Sequence, residues 1–162
     1  MTKRIDPSLV PAVVGSLYPP PYDEPCQRRR RQKLGDAASL TQFGVNLLTL
    51  PPGAWSSQRH YHSDSDEFVY VLEGEVTLVS DAGAELLSAG QAAGFKANDQ
   101  DGHCLQNRSS QPALVLEVGS RVASDSAYYP DIDLVAPAGA KPAIYTRRDG
   151  SAYTDIKRRG VE

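Results

Sequence analysis

Three histidines and one glutamate carry the chemistry this sequence can do. His60 and His62 are two residues apart, Glu67 follows five later, and His103 returns after a run of strand-like segments; the chain has no other histidine. In an extended strand, residues i and i+2 project from one face, so His60 and His62 point one way and Tyr61 the other. The link Ser63-Asp-Ser-Asp66 is short and polar enough to reverse the chain and set Glu67 beside them. His103 opens a later strand and can close the group from across a barrel. Neutral imidazole is the commonest metal ligand, and imidazoles with one carboxylate suit a first-row divalent ion. An isolated histidine pair is more often an ordinary surface or core feature. A metal is favoured here because every histidine in the chain joins one pattern with a carboxylate. The expected ligands are His60, His62, Glu67 and His103, holding one divalent transition metal (manganese, iron, zinc or nickel). Three nitrogens and one oxygen leave one or two positions for water or substrate, as in a catalytic rather than a structural site.

The elements that must position these groups read as short strands. Gly44–Leu50 is apolar and ends at Pro51-Pro52-Gly53, a turn signal. Glu67–Leu72 is β-branched and aromatic and stops at Gly74. Glu75–Val79 resumes it, and these two are expected to pair. Glu85–Leu87, His103–Asn107 and Ala113–Val118 complete the series. Many short strands broken by glycine and proline predict an all-β sandwich or barrel over residues 37–122. An N-terminal arm, residues 1–36, contains Leu17-Tyr-Pro-Pro-Pro-Tyr22 and the basic run Arg28–Arg31 with Lys33. A C-terminal extension, 123–162, is polar and ends in the basic run Lys157–Arg159; it is expected to pack on the barrel. Gln58 shares the parity of His60 and His62, which makes it the expected substrate contact. Trp55 is a further cavity candidate, while Tyr70 has the parity of a packing or interface residue.

Composition narrows the partners. With 17 basic and 20 acidic residues the net charge is −3, the wrong sign for a nucleic-acid protein. The run Arg28–Arg31 therefore reads as a solvated face or a subunit contact. The charged start Met1–Asp6 is not followed by an apolar stretch, and no run is long enough to span a membrane. Two cysteines, Cys26 and Cys104, make no disulfide framework, so a cytoplasmic protein with reduced thiols is expected.

Gly53, six residues, His60-x-His62, four residues, Glu67, six residues, Gly74 resembles the first motif of the cupins. Gly90, Phe95-Lys-Ala97, His103 and Asn107 resemble the second, and the 15 residues between Gly74 and Gly90 match the inter-motif segment of small microbial cupins. The resemblance covers about residues 40–120. It implies a double-stranded β-helix, or jelly roll, with His60, His62, Glu67 and His103 as ligands. The sequence departs from the pattern in two places. Lys96-Ala-Asn98 stands where the family has Pro-x-Gly, and the loop Asn98–Gly102 is two residues longer. Three functions are open by resemblance: a sugar-phosphate isomerase or epimerase, which is favoured; a non-haem iron dioxygenase with the same ligand set; and a binding protein for a small ligand. Arg59 and Lys96 flank the motifs as candidate phosphate partners. A homodimer is expected, with the arm free to add to a partner's sheet.

Overall fold

The computed structural model describes residues 4–139, 145–156 and 160–161. The N-terminal strands are β1 (Ala12–Val14), β2 (Arg30–Lys33) and β3 (Phe43–Leu50), with one helical turn, Leu34–Ala37, between the last two. Next come β4 (Tyr61–His62), β5 (Glu67–Glu73), β6 (Glu75–Ser80), β7 (Gly83–Ser88), β8 (Ala92–Phe95) and β9 (Cys104–Gln106). The series closes with β10 (Ala113–Ser120), β11 (Ala127–Tyr129), β12 (Leu134–Ala136) and β13 (Gly160–Val161). All pairings are antiparallel. One sheet runs β13-β1-β2-β3-β10-β5-β8; β7-β6-β9 and β12-β11-β4 form two smaller ones.

The period-2 alternation of the longest strands explains the layering. Leu48 and Leu50 of β3, Val69 and Val71 of β5, and Ala113 and Val115 of β10 are all buried. They pack against Val76 and Leu78 of β6, Leu87 of β7 and Leu105 of β9 in one core. Full burial of each larger aliphatic side chain contributes roughly 1.5–3 kcal/mol. The expected all-β jelly roll is what the chain forms. On the opposite face of the large sheet, Phe43, Phe68, Tyr70 and Leu72 are exposed.

The expected pairing of Glu67–Leu72 with Glu75–Val79 is corrected. β5 lies between β10 and β8, whereas β6 lies between β7 and β9. A single residue, Gly74, joins them at φ +73°, too short a link for a hairpin. It turns a corner from one sheet to the other. A Cβ there would sit 2.7 Å from the Pro112 carbonyl oxygen.

The flanks are woven into the sheets. β2 pairs with β3, and β1 with β2 and β13, so the arm extends this chain's own large sheet. From the extension, β11 pairs with β4. A second buried cluster joins the two flanks through Tyr18, Cys26, Tyr129, Leu134 and Tyr145. The basic run Lys157–Arg159 lies outside the described residues. Among those described, no helix is long and apolar enough to cross a membrane.

Candidate metal centre

Backbone pairing brings the two motifs together. The His60 amide donates to the His103 carbonyl at 3.1 Å, and the His103 amide donates to the His60 carbonyl at 2.8 Å. This two-way bridge fixes His60 ahead of β4 and His103 ahead of β9. Glu67 opens β5 opposite Phe95 on one side and Gly119 on the other. The expectation that a polar link would set Glu67 beside the histidines is met.

Three imidazoles converge on one carboxylate oxygen. Glu67 Oε2 is 3.7 Å from His60 Nε2, 3.5 Å from His62 Nε2 and 2.9 Å from His103 Nε2. His60, His62 and Glu67 each bring a donor atom within 4.8 Å of the other two. Donors sharing one ion at about 2.1 Å lie about 3.0 Å apart at octahedral angles and about 3.4 Å apart at tetrahedral ones. The spacings to Glu67 Oε2 are of that size, and His60, His62 and Glu67 fit a first-row ion; His103 reaches the same oxygen but stands outside the group whose donors all lie within 4.8 Å of one another. The outer nitrogens agree for two of the three rings. His60 Nδ1 lies 2.9 Å from the Gln58 carbonyl and His62 Nδ1 lies 2.6 Å from Asp125 Oδ2. Protons on those nitrogens leave Nε2 as a bare acceptor facing the centre. His103 is held differently: its Nδ1 is buried without a hydrogen-bond partner, and its ring stacks on Phe95 at 3.5 Å between centroids.

Electrostatics favour the ligand forms. Burial pulls the His60 imidazole down to about 4, against the attraction of Glu67, so it is neutral at pH 7. Desolvation pushes the Glu67 carboxyl upward, but the hydrogen bond from His103 and the electrostatic pull of the three neighbouring imidazoles outweigh it and hold it well below the carboxylate range. Asp125 also stays low: the Asp64 amide and His62 outweigh its partial burial. Asp125 escaped sequence reasoning because it lies outside both motifs, in the polar segment after the barrel.

The site stands between two cavities. One, of about 200 Å³, is lined by His62, Tyr61, Ser65, Lys96, Asp99 and Asp101 among others; the second, of about 360 Å³, by His60, Arg29, Arg31, Ser57 and Tyr145 among others. Glu67, His103 and Phe95 border both. Gln58 borders neither: its side chain donates to the Tyr22 carbonyl at 2.7 Å. The parity argument fails there because residues 56–59 are bends rather than strand. Trp55 packs with the flank cluster. Arg59 is bound to Asp131 and Asp81 and to the Gly102 carbonyl, away from both cavities. Lys96 does line the smaller one. Cys104 is buried as a packing residue. The expectation of a solvated or intersubunit Arg28–Arg31 is corrected for Arg29 and Arg31, which line the larger cavity; Arg28 and Arg30 are exposed.

Comparison with known proteins agrees with this architecture. The cupin domain family matches residues 46–119. A solved structure described as a sugar phosphate isomerase of the cupin superfamily, from Silicibacter pomeroyi, is 43% identical, with TM-score 0.88 over 93% of this chain and 96% of that one. A protein provisionally named sugar phosphate isomerase, from Acidithiobacillus ferrooxidans, is 26% identical, with TM-score 0.64 over 83% of this chain and 76% of that one. The polyketide cyclase RemF of Streptomyces resistomycificus shares the fold at 22% identity, with TM-score 0.58 over 74% and 80% of the two chains. No curated protein matches. With both motifs in one barrel and a relative of that identity along nearly the whole chain, the protein belongs to the cupin superfamily.

Proposed function

We propose that this cupin is a metal-dependent isomerase acting on a sugar phosphate, with His60, His62, Glu67 and His103 holding the ion. The observation that carries the reading is the convergence of three imidazole nitrogens on Glu67 Oε2 at the wall of a cavity, in a chain 43% identical to a protein described as a sugar phosphate isomerase. A bound divalent ion would supply Lewis acidity to a substrate carbonyl. The chain's own part is orientation. The Gln58 carbonyl and the Asp125 carboxylate fix the tautomers of His60 and His62, while Phe95 and Tyr129 stack on the rings of His103 and His60. Held this way, the imidazoles lose little freedom when an ion enters.

Two measurements test the reading. Protein purified without added metal should carry close to one first-row transition metal per chain by elemental analysis, and His62→Ala should lose most of it. Full retention by His62→Ala would remove the ligand assignment. The loaded protein should interconvert an aldose phosphate and its ketose isomer without taking up oxygen. Oxygen uptake would instead favour a dioxygenase, and binding without turnover a ligand-binding cupin.

A further inference from the structure

We propose that the larger cavity is an anion subsite in which Arg29, Arg31 and Lys33 receive a phosphate monoester or a group of the same charge and shape. The proposal rests on the sugar-phosphate reading only for naming the substrate to which that group belongs. The three side chains sit at i, i+2 and i+4 along β2 and the residue before it, so one strand face carries all three. That face is the inner one, because Arg31 pairs with Leu48 and Lys33 with Asn46 of β3, and Leu48 is fully buried. Arg28 and Arg30 take the other parity and are exposed.

The cavity's charge runs against that of the molecule. Arg29, Arg31, Lys33 and Arg121 line it, opposed by the carboxylates of Glu67 and Glu117. With Asp36, which pairs with Lys33 and Arg121, four positive groups meet three negative ones, leaving one in excess in a chain of net charge −3. A divalent ion at Glu67 would increase that excess. Arg29 is 4% exposed. Its guanidinium donates to two carbonyl oxygens, those of Gly15 and Ser56, and burial and the neighbouring Arg31 both disfavour its charge. Arg31 engages Glu117 through Nε and Nη2, each at 2.7 Å, which leaves Nη1 for another acceptor. Lys33 and Arg121 share Asp36 at the rim. A buried guanidinium held only by carbonyls, as Arg29 is, is costly until an anion joins it, and guanidinium forks match phosphate oxygens.

The cavity also has room beside the metal centre. Gly44 and Gly119 face each other across β3 and β10. A Cβ on Gly119 would come 3.7 Å from Glu67 Cγ, and one on Gly44 3.7 Å from Arg121 Nε. These glycines leave open the passage between Glu67 and Arg121. A ligand spanning it would place its charged end on the arginines and its other end at Glu67.

Calorimetric titration with inorganic phosphate, on the full chain with and without metal, tests this. Both forms should bind phosphate in preference to chloride. Lys33→Glu should weaken binding about tenfold or more, since one lost charge contact is worth on the order of 1.4 kcal/mol. The double variant Arg31→Gln, Glu117→Gln, which removes the ion pair together, should do the same with melting temperature and metal content unchanged. Arg30→Gln, on the opposite face, should bind as the unaltered chain does. Phosphate binding that vanishes with the metal would place the anion on the ion and overturn the proposal, as would binding undiminished from that of the unaltered chain in both Lys33→Glu and the double variant. Phosphate binding on this wall without sugar-phosphate turnover would defeat only the isomerase reading.

Discussion

At the scale of single residues, Asp125 joins the barrel's chemistry to the chain beyond it. One carboxylate oxygen faces His62 Nδ1 at 2.6 Å, and the other accepts from the amides of Asp64 and Ser65 at 2.9 and 3.2 Å. It therefore orients a proposed ligand and pins the loop between two of them. Groups behind metal-bound histidines typically change metal affinity by about 10–100-fold. Asp125→Ala should weaken metal binding by that much in competition with a chromogenic chelator. Asp125→Asn, which retains a carbonyl acceptor, should lose less. Unchanged affinity in both would leave Asp125 a loop-capping residue. His60 and His62 were legible from strand parity, Glu67 from the short polar link before it, and His103 from its place in the second motif. Asp125 was not, since contact between residues 63 positions apart follows from β11 pairing with β4 and from no local pattern.

At the scale of elements, corners decide which strands share a sheet. The run from β5 to β6 reads as a hairpin because both halves are β-formers around a glycine. A one-residue link cannot reverse a strand, so the chain crosses to the facing sheet and carries Val71 and Val76 into the same core from opposite sides. Gly74→Ala adds a Cβ against the backbone of Pro112 and Ala113 at a left-handed φ that glycine tolerates best. The variant should lose about 1–3 kcal/mol of stability, read as a lower urea midpoint with an unchanged slope. An unaltered midpoint would mean that this corner relaxes freely. Strand β2 teaches a similar lesson. Four consecutive arginines look like one basic block, yet Arg29 and Arg31 line the cavity while Arg28, in the turn before the strand, and Arg30 are exposed. That alternation was present in the sequence; which face was the inner one depended on pairing with β3.

At the scale of the whole molecule, the outer face of the large sheet calls for a partner. Phe43, Phe68, Tyr70 and Leu72 are between 37% and 43% exposed, and Val45, Leu47, Leu116 and Val118 lie beside them in register. Contiguous apolar surface of this kind marks association sites. We propose that a second copy of the chain covers it through a two-fold contact, in which one patch meets itself. Light scattering should give twice the chain mass, and Phe68→Glu with Tyr70→Glu should halve it. A monomer for the unaltered protein would end that proposal.

The weaving of both flanks into the sheets has a consequence for how this protein could be altered. Residues 46–119, the part matched by the cupin domain family, contain all four proposed donors. Arg29, Arg31 and Lys33 come before that stretch; Arg121, Asp125, Tyr129 and Tyr145 come after it. The proposed donors and the proposed anion wall thus lie in different lengths of chain that interleave in space. A barrel trimmed to its family core would keep the donors but lose the carboxylate behind His62, the ring stacked on His60 and the charged wall. Exchanging flanks between two such barrels is therefore a route to new ligand preference with the donor set left in place.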